Sequence, residues 1–179
     1  MTDRHLHKLV HQFKLAILAA FDDQCFSNDI VFRRFPHGCC GDTSCLLAEY
    51  LRLNGIETVY VCGSDKGQSH AWLVVNDGTI NKSPPQVFDL PAHIKAILVS
   101  YGGDESFDSS GDARYEESDL INGMILDITA DQFDQPPVYI GYMDEFHSRF
   151  AFQFAHDCEG VGDNSRLCGL YRTIMRYIV

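Results

Sequence analysis

The chain has few basic residues for its size. It carries 14 Lys and Arg against 25 Asp and Glu, a formal net charge of −11. No local cluster of basic side chains offsets this imbalance, and a net negative charge repels nucleic-acid backbones and anionic lipid surfaces. We therefore expect neither nucleic acid nor a membrane among its partners.

The sequence also lacks the long apolar run that a membrane span requires. The apolar run near its N-terminus, Leu15–Phe21, is far shorter than the roughly 20 residues needed to cross a bilayer. Charged residues precede this run, and no cleavage site of the usual form follows it. We expect no membrane segment and no export signal.

The seven cysteines lack a regular paired spacing, and no C-x-x-C block occurs. An odd count with the adjacent pair Cys39 and Cys40 is not typical of a disulfide framework or a structural zinc site. The soft ligands that a metal could recruit are Cys39, Cys40, Cys45 and His37, or His147, His156 and Cys158, and both sets have poor spacing. We expect reduced thiols, a cytoplasmic location, and no metal or cofactor.

What is present suffices for one compact domain, because 179 residues at 45% hydrophobic content can bury a core. Apolar residues spaced by three and four from Leu6 to Phe21 predict a helix that ends near Asp22. The same spacing predicts a second helix over Cys40–Leu53, and Asn54–Gly55 provides its stop.

Strand signals follow the second helix. The segments "IETVYVCG" (56–63) and "HAWLVVN" (70–76) are rich in β-branched and aromatic residues and are separated by a polar turn, so they predict neighbouring strands. Further strands are predicted at "ILDIT" (125–129) and "VYIGY" (138–142), and residues 165–179 form an amphipathic segment. This order favours an α+β fold.

One long segment interrupts the pattern. Residues 81–122 contain the acidic, Gly- and Ser-rich run Gly102–Asp119, and such a composition buries too little apolar surface to order itself. We interpret residues 1–179 as one domain with a mobile acidic insertion at 81–122.

Cysteine chemistry is the main functional signal. A thiol reacts as its thiolate, and a helix N-terminus or a neighbouring imidazolium lowers the pKa of the thiol. Cys39 and Cys40 lie at the predicted start of the second helix, and His70 begins a strand that could return beside them. Asp127 in an apolar strand could orient the imidazole; Asp89 and Asp131 are alternative orienting carboxylates.

These residues, in order, resemble the transglutaminase-like family of the papain-like cysteine enzyme superfamily. The family pattern G-x-C-x-D, then H-A-W, then D-x-T is matched here by Gly38–Asp42, His70–Trp72 and Asp127–Thr129. The intervening "LLAEYLRLNGIETVYVCG" is similar to the family's helix, turn and strand, so about half the chain takes part. The connection from the histidine strand to the aspartate strand is longer here, and D-I-T replaces the usual D-P-T.

The resemblance implies a papain-like core in which a nucleophile-bearing helix packs on an antiparallel sheet. It also implies that Cys40 is the nucleophile, His70 the general base and Asp127 its orienting partner. The expected activity is acyl transfer through a thioester on Cys40, most simply by a peptidase or amidase acting on a protein or peptide amide carbonyl. A non-catalytic binding module of the same fold and an arylamine acetyltransferase-like enzyme are the alternatives.

Four residues carry smaller expectations about how the site works. We expect Asp42 to cap the helix, because a free carboxylate there would oppose formation of the thiolate. Trp72 could be a core residue or a wall of the cleft. The Cys40 backbone N–H is one expected oxyanion donor, and Gln24 lies upstream, where papain-like enzymes carry a glutamine.

Overall fold

A computed structural model describes residues 3–78, 80, 115–158 and 160–179. The helices are α1 Asp3–Asp22, α2 Cys40–Leu53, α3 Glu117–Leu120, α4 Glu145–Ser148 and α5 Ser165–Met175, with 3-10 turns at Phe32–Arg34 and Ala130–Phe133. The strands are β1 Thr58–Asp65, β2 Gln68–Val75, β3 Ile125–Asp127, β4 Tyr139–Gly141 and β5 Ala151–Asp157. Among the described residues, no helix combines the length and apolarity needed to cross a membrane.

The fold is α+β, as predicted, and its five strands form one antiparallel sheet in the order β4-β3-β2-β1-β5. The predicted limits of α2 match the observed ones, and α1 ends at Asp22. The hairpin between β1 and β2 turns on Lys66 and Gly67, both with positive φ. Such a two-residue turn matches the right-handed twist of the flanking strands.

The structure adds a strand that the sequence patterns did not single out. β5 pairs with β1 at the sheet edge, and its register shifts between Cys62 and Gly63. A Cβ atom on Gly63 would lie 2.9 Å from Cβ of Phe150. A glycine is therefore required where the chain before β5 crosses β1.

The two faces of the sheet bury different side chains. Helices α1, α2 and α5 pack on the face that carries Leu73 and Leu126. The other face carries Trp72, Val74 and Ile125 and is covered by α3, by α4 and by the chain after α4. Strand alternation assigns His70 and Asp127 to this second face.

The predicted insertion at 81–122 falls mostly on residues 81–114, which lie outside the described residues, as does Asp89. The end of that range belongs to the packed domain. Tyr115 and Leu120 are buried in the cluster around Trp72, and α3 begins with a reciprocal capping box between Glu116 and Asp119. Apolar side chains within an acidic stretch therefore order its last residues.

Candidate active site

Cys40 is the first residue of α2, and Cys39 is its N-cap. The Cys40 thiol is half-buried, and its hydrogen-bonding neighbours are the His70 imidazole and the backbone N–H groups of Gly41 and Ala71. Burial alone would raise the pKa of this thiol, but the hydrogen bond and charge of His70 outweigh burial and lower the pKa below its ordinary value. The structure therefore favours the thiolate of Cys40.

Cys39 lies in the opposite environment, although it is the adjacent residue. Its thiol is buried, donates to the carbonyl of Pro36 at 3.1 Å and accepts from the Thr43 hydroxyl at 3.5 Å. Burial raises the pKa of Cys39 to about 12. The side chain of Cys39 packs into the core, as expected for a structural cysteine.

His70 contacts a thiol that belongs to a helix on the other face of the sheet. This contact is possible because β3 ends at Asp127 and its pairing with β2 reaches only Leu73. Within the part of the chain that the structure describes, no strand pairs with the first half of β2 on that side, so His70 can reach the N-terminus of α2. Burial would lower the pKa of His70, but its hydrogen bonds to Asp127 and Cys40 raise it to about 9.

Asp127 accepts hydrogen bonds on both carboxylate oxygens. One oxygen accepts from the backbone N–H and the hydroxyl of Thr129, at 2.8 and 3.1 Å. The other accepts from Nε2 of His70 at 2.7 Å and from Nε2 of His147 at 3.3 Å. Burial of Asp127 at 1% exposure opposes ionisation, but the hydrogen bonds from His147 and His70 lower the pKa of this carboxyl well below its ordinary value.

His147 is a member of the site that the sequence patterns considered only as a soft metal ligand. It is buried in α4, and its Nδ1 lies 2.7 Å from the carboxylate of Asp144, the N-cap of that helix. Its ring therefore joins two carboxylates, those of Asp127 and Asp144. The sequence signal is only an aspartate three residues before a histidine, which is too common to indicate a site.

Gln132 is the second residue that the sequence patterns missed. It lies in the 3-10 turn after Asp127, and its Nε2 is 3.4 Å from Nδ1 of His70. The same amide group donates to the carbonyl of Thr129 at 3.0 Å, and its oxygen accepts from the N–H of Gly38 at 3.3 Å. Gln132 thus connects the aspartate turn to the loop that precedes Cys40.

Aromatic rings shield the imidazole of His70 from water. Ring centroids lie within 6 Å of that of His70 for Phe133 at 5.0 Å, Phe150 at 5.2 Å, Trp72 at 5.7 Å and Phe146 at 5.8 Å. His70 itself has no exposed surface. Trp72 is 2% exposed, so it is a core residue that also forms part of the wall around His70.

Asp42 does not cap α2 as predicted. Its carboxylate pairs with Arg166 at the start of α5, at 2.7 Å, and Arg166 also binds both carboxylate oxygens of Asp29 at 2.8 Å. The Arg166 hydrogen bond lowers the pKa of Asp29 to about 2. Because the guanidinium offsets the charge of Asp42, this carboxylate opposes the Cys40 thiolate less than an unpaired one would.

The other candidates from the sequence lie elsewhere. Asp131 pairs with the buried Nζ of Lys14 at 2.9 Å, and Gln24 is exposed in the turn after α1. Among the described residues, one group could hold a metal ion: His70, Asp127 and His147, whose ligand atoms lie within 4.8 Å of one another. Ligands of tetrahedral zinc at about 2.0–2.1 Å are about 3.3 Å apart. The 2.7 Å from His70 to Asp127 therefore suits a hydrogen bond better than shared coordination.

Comparison of the chain with protein-family models, with curated proteins and with solved structures found no significant match.

Proposed function

We propose that the protein is a cysteine-dependent acyl-transfer enzyme, a peptidase or amidase with a transglutaminase-like, papain-like core, that works through a thioester on Cys40. One observation carries the proposal. The half-buried Cys40 thiol, the fully buried imidazole of His70 and the buried carboxylate of Asp127 lie in one line at a helix N-terminus, and Nε2 of His70 is 2.7 Å from that carboxylate. In this line the pKa of the thiol is lowered and that of the imidazole is raised.

Each residue has a defined role in the proposed reaction. The Cys40 sulfur attacks the carbonyl carbon of a protein or peptide amide, and His70 holds the thiol proton on Nδ1. Asp127 holds a proton on Nε2 of His70 and stabilises the imidazolium. His70 then gives its proton to the leaving amine, and water activated by the same imidazole cleaves the thioester.

No disulfide joins the seven cysteines, all of which lie among the described residues, and on that ground we place the enzyme in a reducing compartment, the cytoplasm. Cys40 is partly exposed, whereas His70 and Asp127 are fully buried. The substrate therefore approaches the site from the side of Cys40.

The first test measures alkylation of the folded protein by iodoacetamide from about pH 5 to 9, with peptide mapping. We expect Cys40 to react faster than Cys39, with an apparent pKa below that of an ordinary thiol. In His70→Ala the pKa of Cys40 should rise, because burial then acts without the imidazolium. If Cys39 and Cys40 react equally slowly, Cys40 and His70 do not form a thiolate–imidazolium pair in the folded protein.

The second test uses p-nitrophenyl acetate as an acyl donor. Attack by Cys40 forms a sulfur–carbon bond, breaks the ester carbon–oxygen bond and releases p-nitrophenolate, so intact mass should increase by one acetyl group. Cys40→Ser should lose this labelling, whereas the matched variant Cys39→Ser should keep it. The rate should rise with the thiolate of Cys40 and fall above about pH 9, where His70 loses its proton. A folded wild-type protein that takes no acetyl group would contradict the proposal.

A further inference from the structure

The side-chain amide of Gln132 is held in one orientation. Its oxygen accepts from the backbone N–H of Gly38, and its nitrogen donates to the backbone carbonyl of Thr129. A flipped amide would place N–H against N–H at Gly38 and oxygen against oxygen at Thr129, which leaves both contacts unsatisfied. The backbone therefore determines that Nε2, and not Oε1, faces His70.

The nitrogen of this amide has two hydrogens and, among the described residues, one backbone partner. One hydrogen goes to Thr129, and the other is available toward Nδ1 of His70, 3.4 Å away. In the thiolate–imidazolium pair, Nε2–H of His70 faces Asp127 and Nδ1 carries the thiol proton. Nδ1 then has no lone pair, so the second N–H of Gln132 has no acceptor on the imidazole.

Gln132 is thus a preorganised donor whose second N–H has no acceptor on His70 before the substrate carbonyl gains negative charge. The residue is half-buried, and its oxygen is bonded to the loop that leads into Cys40. Gly38 adopts a φ of 69° to form this loop, a conformation that favours glycine. Where this loop enters α2, the backbone N–H of Cys40 is one of the first four N–H groups of the helix, which have no partner within the helix.

We propose that the side-chain amide of Gln132 and the backbone N–H of Cys40 together donate to the oxyanion of the tetrahedral intermediate. This inference rests on the proposed function. As the sulfur–carbon bond forms, the carbonyl π pair moves onto oxygen, which accepts from Nε2 of Gln132 and from the N–H of Cys40. When the intermediate collapses, the pair returns to the carbonyl and the leaving group departs with the proton from His70.

The test compares two reactions of the same thiol. Acetylation by p-nitrophenyl acetate passes through an oxyanion, whereas alkylation by iodoacetamide is a direct displacement and has none. In Gln132→Ala we expect the acetylation rate to fall about 10²- to 10³-fold. The alkylation rate of Cys40 and its pH dependence should stay within about twofold, because they report only the thiolate–imidazolium pair.

Two further variants control the result. Gln132→Met keeps the chain length without a donor and should behave as Gln132→Ala does, which covers the case in which the alanine variant folds poorly. Gln135→Ala removes a half-buried glutamine three residues away and should leave both rates unchanged.

The outcomes separate the two proposals. An equal fall in acetylation and alkylation in both Gln132 variants would mean that Gln132 only positions His70, and unchanged acetylation would mean that it does not act on the reaction. Either result overturns the oxyanion role while leaving the Cys40 nucleophile intact. Loss of acetylation in the wild-type protein would instead overturn the proposed function itself.

Discussion

Burial has different consequences on the two faces of the sheet. On the face covered by α1, α2 and α5, mostly apolar side chains such as Leu47, Leu73 and Leu126 are almost fully buried and contribute cohesion. On the other face, aromatic rings enclose ionisable groups, and Asp127 and His147 are each 1% exposed. Burial there strengthens hydrogen bonds and separates pKa values. Substitutions on the two faces should therefore change different measured quantities.

The largest effect should come from Asp127→Asn. Both oxygens of Asp127 accept from donors, so either orientation of the asparagine amide sets an NH₂ group against two donors. We expect acetylation of Cys40 to fall roughly 10³- to 10⁴-fold, because the imidazolium loses its counter-charge. In the alkylation assay the pKa of Cys40 should rise toward that of an ordinary thiol. An unchanged pH profile of alkylation would mean that Asp127 does not stabilise the imidazolium of His70.

Next in size is Leu47→Ala on the opposite face. This substitution in α2 opens a cavity under a helix that also carries Cys40, and it should reduce the free energy of unfolding by about 2–5 kcal/mol. Urea unfolding measures this loss. The pKa of Cys40 in the folded state should not move, and a shift comparable to that in Asp127→Asn would mean that the two faces are not separable.

A smaller effect is expected from His147→Phe, which removes one donor from Asp127 but keeps a ring among aromatic neighbours. We expect acetylation to fall about 10- to 150-fold, in line with a lost hydrogen bond to a charged group at about 1.5–3 kcal/mol. The acid limb of the rate profile, which follows the Cys40 thiolate, should move upward, because an Asp127 carboxylate with one donor fewer is held less firmly against the His70 imidazolium. A mere loss of stability with an unchanged pH profile would assign His147 a structural role.

The smallest effect should come from Cys39→Ala. Its thiol contacts Pro36 and Thr43 and does not face His70, so thermal unfolding should show a loss of about 1 kcal/mol with acetylation unaffected. Equal loss of acetylation in Cys39→Ala and Cys40→Ala would mean that the assignment of the nucleophile is wrong.

Local patterns predicted the elements that carry the site. The apolar spacing and the Asn54–Gly55 stop correctly predicted α2, and the aromatic and β-branched runs predicted the β1–β2 hairpin. Strand β5 was missed because its burial alternates poorly. Its place in the sheet depends on pairing with β1, a partner about 90 residues away in the chain.

The sequence by itself determined the helix N-terminus at Cys40, the strand that begins near His70 and the apolar strand that contains Asp127, because each depends on residues within one element. Only the tertiary structure gave Cys39 and Cys40 different environments and paired Asp42 with Arg166. It also brought His147 to the carboxylate of Asp127 and Gln132 to the imidazole of His70. These contacts join residues from different elements, many of them far apart in the chain. Side-chain hydrogen bonds of this kind have no periodicity, so they exist only once the sheet and its covering helices have packed.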